Sequence, residues 1–170
     1  MSESPSQIYI AFDRRRTTDG NDHPQHWILI VAPENSTKDC TFYHVKDSQE
    51  YSEPRKCEHL VETDKSLEDH TLETTEKVAT IPAGADTVVG AIAGFVKPRR
   101  CQEYIIAVLE ELEKNGTVPK GTAEQWAVKK EASLYDIVTA DKRGGDTIFD
   151  LQLSAQFAHL GGLKDRKCCY

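Results

Sequence analysis

The sequence lacks an apolar run long enough to cross a bilayer; stretches such as HWILIVA (26–32) are of strand length. Its start, MSESPSQ, lacks the basic-then-apolar order of a secretory signal, so a cytoplasmic protein with no membrane partner is expected. No CxxC pair occurs, and KRGGD lacks the spacing of a phosphate loop, so neither a metal nor a nucleotide cofactor is expected. His23 with His26, Cys40 with His44 and Cys57 with His59 are zinc-ligand types, but their spacings do not repeat. Cysteine is scarce: five residues, an odd number without an export signal, predict reduced thiols rather than a disulfide framework. The terminal KCCY does not fit the prenylation box, which needs cysteine where Lys167 stands. A basic excess is missing too, with 21 Lys and Arg against 28 Asp and Glu and a net charge of −7. That balance excludes a surface built throughout for nucleic acid, although Arg14, Arg15 and Arg16, and Lys97 with Arg99 and Arg100, form local basic clusters.

A chain of 170 residues can bury a core without disulfide staples. The expected organisation is a disordered N-terminus over 1–6, one domain over 7–163 and a flexible tail over 164–170. QIYIAFD (7–13) alternates and predicts a first strand, and RRRTTDGNDHPQ (14–25) predicts a loop. HWILIVA predicts a central strand buried on both faces, forming a hairpin with CTFYHV (40–45). From 46 to 75 the pattern is weak and charged, with CEHLVE (57–62) and TLETTEKVATIPAG (71–84) as further candidate strands.

The period then changes to that of helices. ADTVVGAIAGFV (85–96) places Val88, Val89, Ile92, Phe95 and Val96 on one side of a helix. In CQEYIIAVLEELEKNG (101–116) Tyr104, Ile105, Val108, Leu109 and Leu112 form a stripe ended by Asn115-Gly116. GTAEQWAVKKEASLYDIV (121–138) predicts a third helix, with Thr122 and Gln125 at capping-box spacing and Trp126 facing the core. ADKRGGD (140–146) reads as a linker, and 147–170 as one more strand or short helix before a loose end. Strands first and helices second make an α+β fold, with helices packed on a mainly antiparallel sheet.

The residues with chemical potential follow from this layout. Cys101 opens a helix, where the positive end of the dipole and unpaired N–H groups favour a thiolate; Arg99 and Arg100 push the same way. A thiolate nucleophile needs a proton carrier, and of six histidines only His26 and His44 lie in segments rigid enough to hold a geometry. If those strands pair, His44 orients His26; Asp13, ending the first strand, is a second candidate orienter. Against this stands a packed cysteine and two structural histidines, that is, a non-catalytic binding module.

HW opening an apolar strand, then FYHV, then a helix starting CQEYI resemble the circularly permuted papain-like group, which includes the lecithin retinol acyltransferase relatives. In that group histidine precedes cysteine, and the cysteine commonly sits in an Asn-Cys-Glu/Gln box; here Arg100 replaces the asparagine. The resemblance implies a permuted papain-like fold with Cys101 as nucleophile, His26 as base and His44 as third polar residue. More narrowly, IYIAFD, HWILIVAP, TFYHV and CQEYIIAVLEELEKNG resemble a small fungal family to which the arginine-containing cyclodipeptide synthases are related in kind. That would make aminoacyl-tRNA the acyl donor and a small-molecule amine or amino acid the acceptor, in fungal secondary metabolism. Arg99 and Arg100 would meet an anionic substrate, and Asp13 and Glu103 are the candidate carboxylates for reading an arginine side chain. A thiol hydrolase or simple acyltransferase acting on a small amide or ester is the broader alternative.

Overall fold

The structure, a computed structural model, describes residues 4–18, 20–47 and 56–132. Among the described residues seven strands come first: β1 (Ser6–Asp13), β2 (Thr17–Thr18), β3 (Asn21–Asp22), β4 (Trp27–Pro33), β5 (Cys40–Asp47), β6 (Cys57–Lys65) and β7 (Leu72–Ile81). Three helices follow: α1 (Asp86–Phe95), α2 (Cys101–Lys114) and α3 (Thr122–Ala127). Five strands make one sheet in the order β6-β5-β4-β1-β7, antiparallel at every pairing. The fold is α+β, as the order of strand and helix periods predicts. Ser6, assigned by the sequence to the N-terminal tail, is instead buried at the start of β1.

Pleating explains the sequence pattern. On one face Ile8, Ile10, Phe12, Trp27, Leu29, Val31 and Val45 pack beneath the helices. On the other, Ala11, Ile28, Ile30, Ala32, Cys40 and Phe42 form a second cluster with Tyr9, Leu67 and Leu72 against it. β4 contributes to both, which is why its sequence runs apolar without alternation. β6 and β7 flank the sheet and carry the charges that make an edge soluble, so their periodicity is faint.

α2 is the central helix. Tyr104, Ile105, Val108, Leu109 and Leu112 are all buried, and Gly116, at φ +78°, closes the helix in the left-handed conformation. The Tyr104 hydroxyl donates to Ala93 O at 2.8 Å and ties α2 to α1. His59 Nε2 lies 2.8 Å from Val96 O, fixing the connection that leads into Cys101.

Three local expectations are corrected. The loop at 14–25 contains a two-residue ladder, β2 with β3. On α1 the buried residues are Val89 and Ala93, with Val96 just beyond the helix, while Phe95 is 82 % exposed. The small side faces inward because the helix passes close to Tyr43: a Cβ on Gly90 would sit 3.0 Å from that hydroxyl oxygen. α3 has only six residues and no capping box; Gly121 precedes it at φ +87°, and Thr122 Oγ1 donates to Pro119 O at 2.6 Å. The Ala123 N–H is met by the Glu113 carboxylate of α2 instead. Readings for 133–170, including the linker and the Cys168-Cys169 pair, lie outside the described residues. No helix among the described residues is long and apolar enough to cross a membrane.

Candidate functional site

The site forms where β4 begins. Trp27 anchors that point: its ring meets Phe12 edge-on at 5.8 Å and Trp126 at 5.5 Å, in an aromatic cluster that also stacks Phe12 on Trp126. Trp126 faces the core, as expected from its helix. The residue before Trp27 is His26, and Asp13 N donates to His26 O at 3.0 Å, so the backbone there is held from β1 as well.

His26 and His44 meet directly, with His26 Nε2 2.8 Å from His44 Nδ1. Antiparallel pairing of β4 with β5 brings this about, as the hairpin pattern predicts. His44 is 9 % exposed; burial, and then the nearby His26, depress its pKa from 6.5 to about 4, so it is neutral at pH 7. Its other nitrogen, Nε2, lies 3.0 Å from Glu62 Oε2 on β6. Asp13 does not take the orienting role: its carboxylate accepts the Arg14 N–H at 2.7 Å, while His26 is held through His44. The second nitrogen of His26, Nδ1, is buried and has no hydrogen-bond partner. Trp27 Nε1 and Asp86 Oδ1 share that condition, and a buried polar atom left so is costly.

Cys101 approaches from the opposite side. It is the first residue of α2, 4 % exposed, and its Sγ lies 4.0 Å from Gln25 O, the carbonyl preceding His26. Alternation along β5 sets His44 on the Phe42 face of the sheet, whereas Cys101 belongs to the core beneath the helices. Gln25 and His26, at the open end of β4, therefore link the two halves: one touches Cys101, the other His44. α2 opens without a side-chain cap, its first turn closing through Tyr104 N to Arg100 O at 2.8 Å. The partial positive charge of that end therefore lies at Cys101.

A polar clamp that sequence reading did not find holds this junction. Gln102, also 4 % exposed, donates through Nε2 to Gln25 O at 2.9 Å and accepts the Glu131 N–H at 2.8 Å. Glu131 takes the Gln25 N–H at 3.0 Å and Arg15 Nη1 at 2.6 Å. Its carboxyl is held below the usual range: burial works against this, but Arg15, Gln25 and Gln102 outweigh it. Gln102 stands beside Cys101 in sequence and is a signal that could have been weighed; Glu131 and Glu62 carry none, since only folding brings them near.

The remaining nominated residues spread out. Arg99 is exposed, its Nε reaching Lys97 O at 3.4 Å, and Arg100 is half-buried at the head of α2. Glu103 turns to Lys130 at 3.7 Å. A cavity of about 320 Å³ opens at this end of the sheet, lined by His26 and His44 with Asp13, Arg14, Arg16 and Lys46 among its walls. Cys101 is not part of that lining. Among the described residues no group of three or more His, Cys, Asp or Glu is placed to hold a metal ion. Neither Cys40 nor Cys101 is in a disulfide. Comparison with protein-family models, curated proteins and solved structures finds no match for this chain.

Proposed function

We propose that the chain is a thiol-dependent acyl-transfer enzyme in which Cys101 is the nucleophile and His26 the base, on a permuted papain-like α+β fold. The observation that supports it most is the buried, unpartnered Nδ1 of a histidine whose other nitrogen is fixed by His44, one residue from the carbonyl that Cys101 contacts. In this reading the thiol proton passes to His26 and the sulfur attacks an acyl carbonyl. The leaving group departs with the proton from His26, leaving a thioester. An acceptor amine, or water in the hydrolytic version, then attacks the thioester, gives its proton to His26 and returns the thiol.

The sharper form takes aminoacyl-tRNA as donor and closes an arginine-containing cyclodipeptide. It rests on the sequence resemblance, with Arg14 and Arg16 on the cavity wall as local support. Of the two carboxylates nominated to read arginine, Asp13 lines the cavity and Glu103 is engaged by Lys130, so Asp13 is the one retained. Mass spectrometry of a bacterial host making the protein tests this. A new arginine-containing cyclic dipeptide, absent with Cys101→Ala, is the expected result, and its absence leaves only the broader acyl-transfer reading.

One observation favours a second reading, a binding module without catalysis: Cys101 is almost fully buried and outside the cavity that exposes the two histidines. Incubation with activated acyl thioesters, followed by intact-mass measurement, separates the two. A Cys101 adduct supports transfer, and an unmodified protein at millimolar reagent supports the module.

A further inference from the structure

The two histidines do not end the hydrogen-bonded chain. His44 Nε2 meets Glu62 Oε2 at 3.0 Å, and the other oxygen of Glu62 receives Lys65 Nζ at 2.8 Å. Lys65, against partial burial and with help from His44, holds the Glu62 carboxyl below its ordinary range, so it is ionised and can only accept. His44 must then donate from Nε2. Being neutral, it carries one ring proton, and its Nδ1 is left as an acceptor. His26 in turn must donate from Nε2, across the 2.8 Å contact, so that in the neutral form of its ring Nδ1 carries no proton. That is the nitrogen the fold buries without a partner.

We propose that Glu62 is a positioning residue that sets the tautomers of His44 and His26 in series, so that His26 presents a bare Nδ1 as the base. Glu62 touches no reacting atom. It acts through His44, as a carboxylate at the far end of a two-imidazole relay, and its negative charge favours the imidazolium that forms when His26 takes a proton. The inference deepens the acyl-transfer reading and rests on it for the word base, but not for the tautomers.

Nitrogen-15 NMR of histidine-labelled protein at neutral pH reads those tautomers directly. The expected result is a protonated Nε2 and bare Nδ1 on both His26 and His44. Glu62→Ala removes the acceptor and should put a fraction of the His26 protons on Nδ1, slowing Cys101 acylation by an activated thioester roughly tenfold or more. Glu62→Gln keeps an acceptor oxygen and should restore the native tautomers. A native protein with a protonated His26 Nδ1, or a Glu62→Ala protein with unchanged tautomers, overturns the proposal; the first result needs no variant to fold. Native tautomers as stated with an unreactive Cys101 would instead sink the acyl-transfer reading and leave the role of Glu62 standing.

Discussion

Two buried thiols outside any disulfide, Cys40 and Cys101, occupy regions of the molecule that surround sulfur differently. Cys40 starts β5 on the sheet face away from the helices, and its Sγ points to the carbonyls of Thr37 at 3.5 Å and Lys38 at 3.7 Å. Carbonyl acceptors favour the protonated thiol, and burial pushes that thiol up. Cys101 is about as buried and also faces a carbonyl, Gln25 O at 4.0 Å, but it stands at the head of a fourteen-residue helix, beside a segment carrying a histidine whose Nδ1 has no hydrogen-bond partner. Equal burial therefore says nothing about reactivity; the charges and donors around the sulfur decide it.

Breaking that contrast has graded consequences. If the proposed function holds, the largest is expected from Cys101→Ala, which should lower acyl transfer by roughly 10³-fold or more, whereas Cys40→Ala leaves the rate within about twofold. Steady-state kinetics on both variants measures this, and equal losses would show that the two thiols are not different in kind. Next comes pH. Because the folded pKa of His44 is about 4 against 6.5 unfolded, its neutral form adds stability that is complete above pH 6.5 and is lost as pH falls toward 4. The loss should approach about 3 kcal/mol at most, and His44→Asn should flatten that part of the profile in urea titrations.

Smaller effects belong to the clamp and the helix contact. Gln102→Ala leaves Gln25 O and the Glu131 N–H short of a partner and should cost about 1–3 kcal/mol of stability. Tyr104→Phe removes one buried hydrogen bond to Ala93 O and should cost about 1 kcal/mol by thermal or urea unfolding, with no effect on either thiol.

Much of this architecture was legible in the residues. Strand alternation in QIYIAFD, the unbroken apolar run of HWILIVA and the stripe of α2 each predict an element that the structure contains, because burial there is periodic. The meeting of His26 and His44 was legible for the same reason, through the hairpin. Phe95 misled because size was taken as the mark of the inward face, while α1 approaches Tyr43 at Gly90 and buries Val89 and Ala93. α3 ends early because residues 128–131 turn back to bring Glu131 onto Gln102, Gln25 and Arg15. Those partners come from three distant segments, and no local pattern announces them. Glu62 was hidden likewise, one charge among many on an edge strand.

The proposed function requires Cys101, and not Cys40, to form a thiolate that pairs with His26. Carbon-13 NMR of protein labelled at cysteine Cβ follows both thiols against pH in one sample, regardless of solvent access. The expected result is that the Cys101 carbon shows its ionisation step at lower pH than that of Cys40, whose thiol burial pushes up, and that His26→Ala moves the Cys101 step alone. A Cys101 that ionises no earlier than Cys40, or one indifferent to His26→Ala, overturns the proposed pairing.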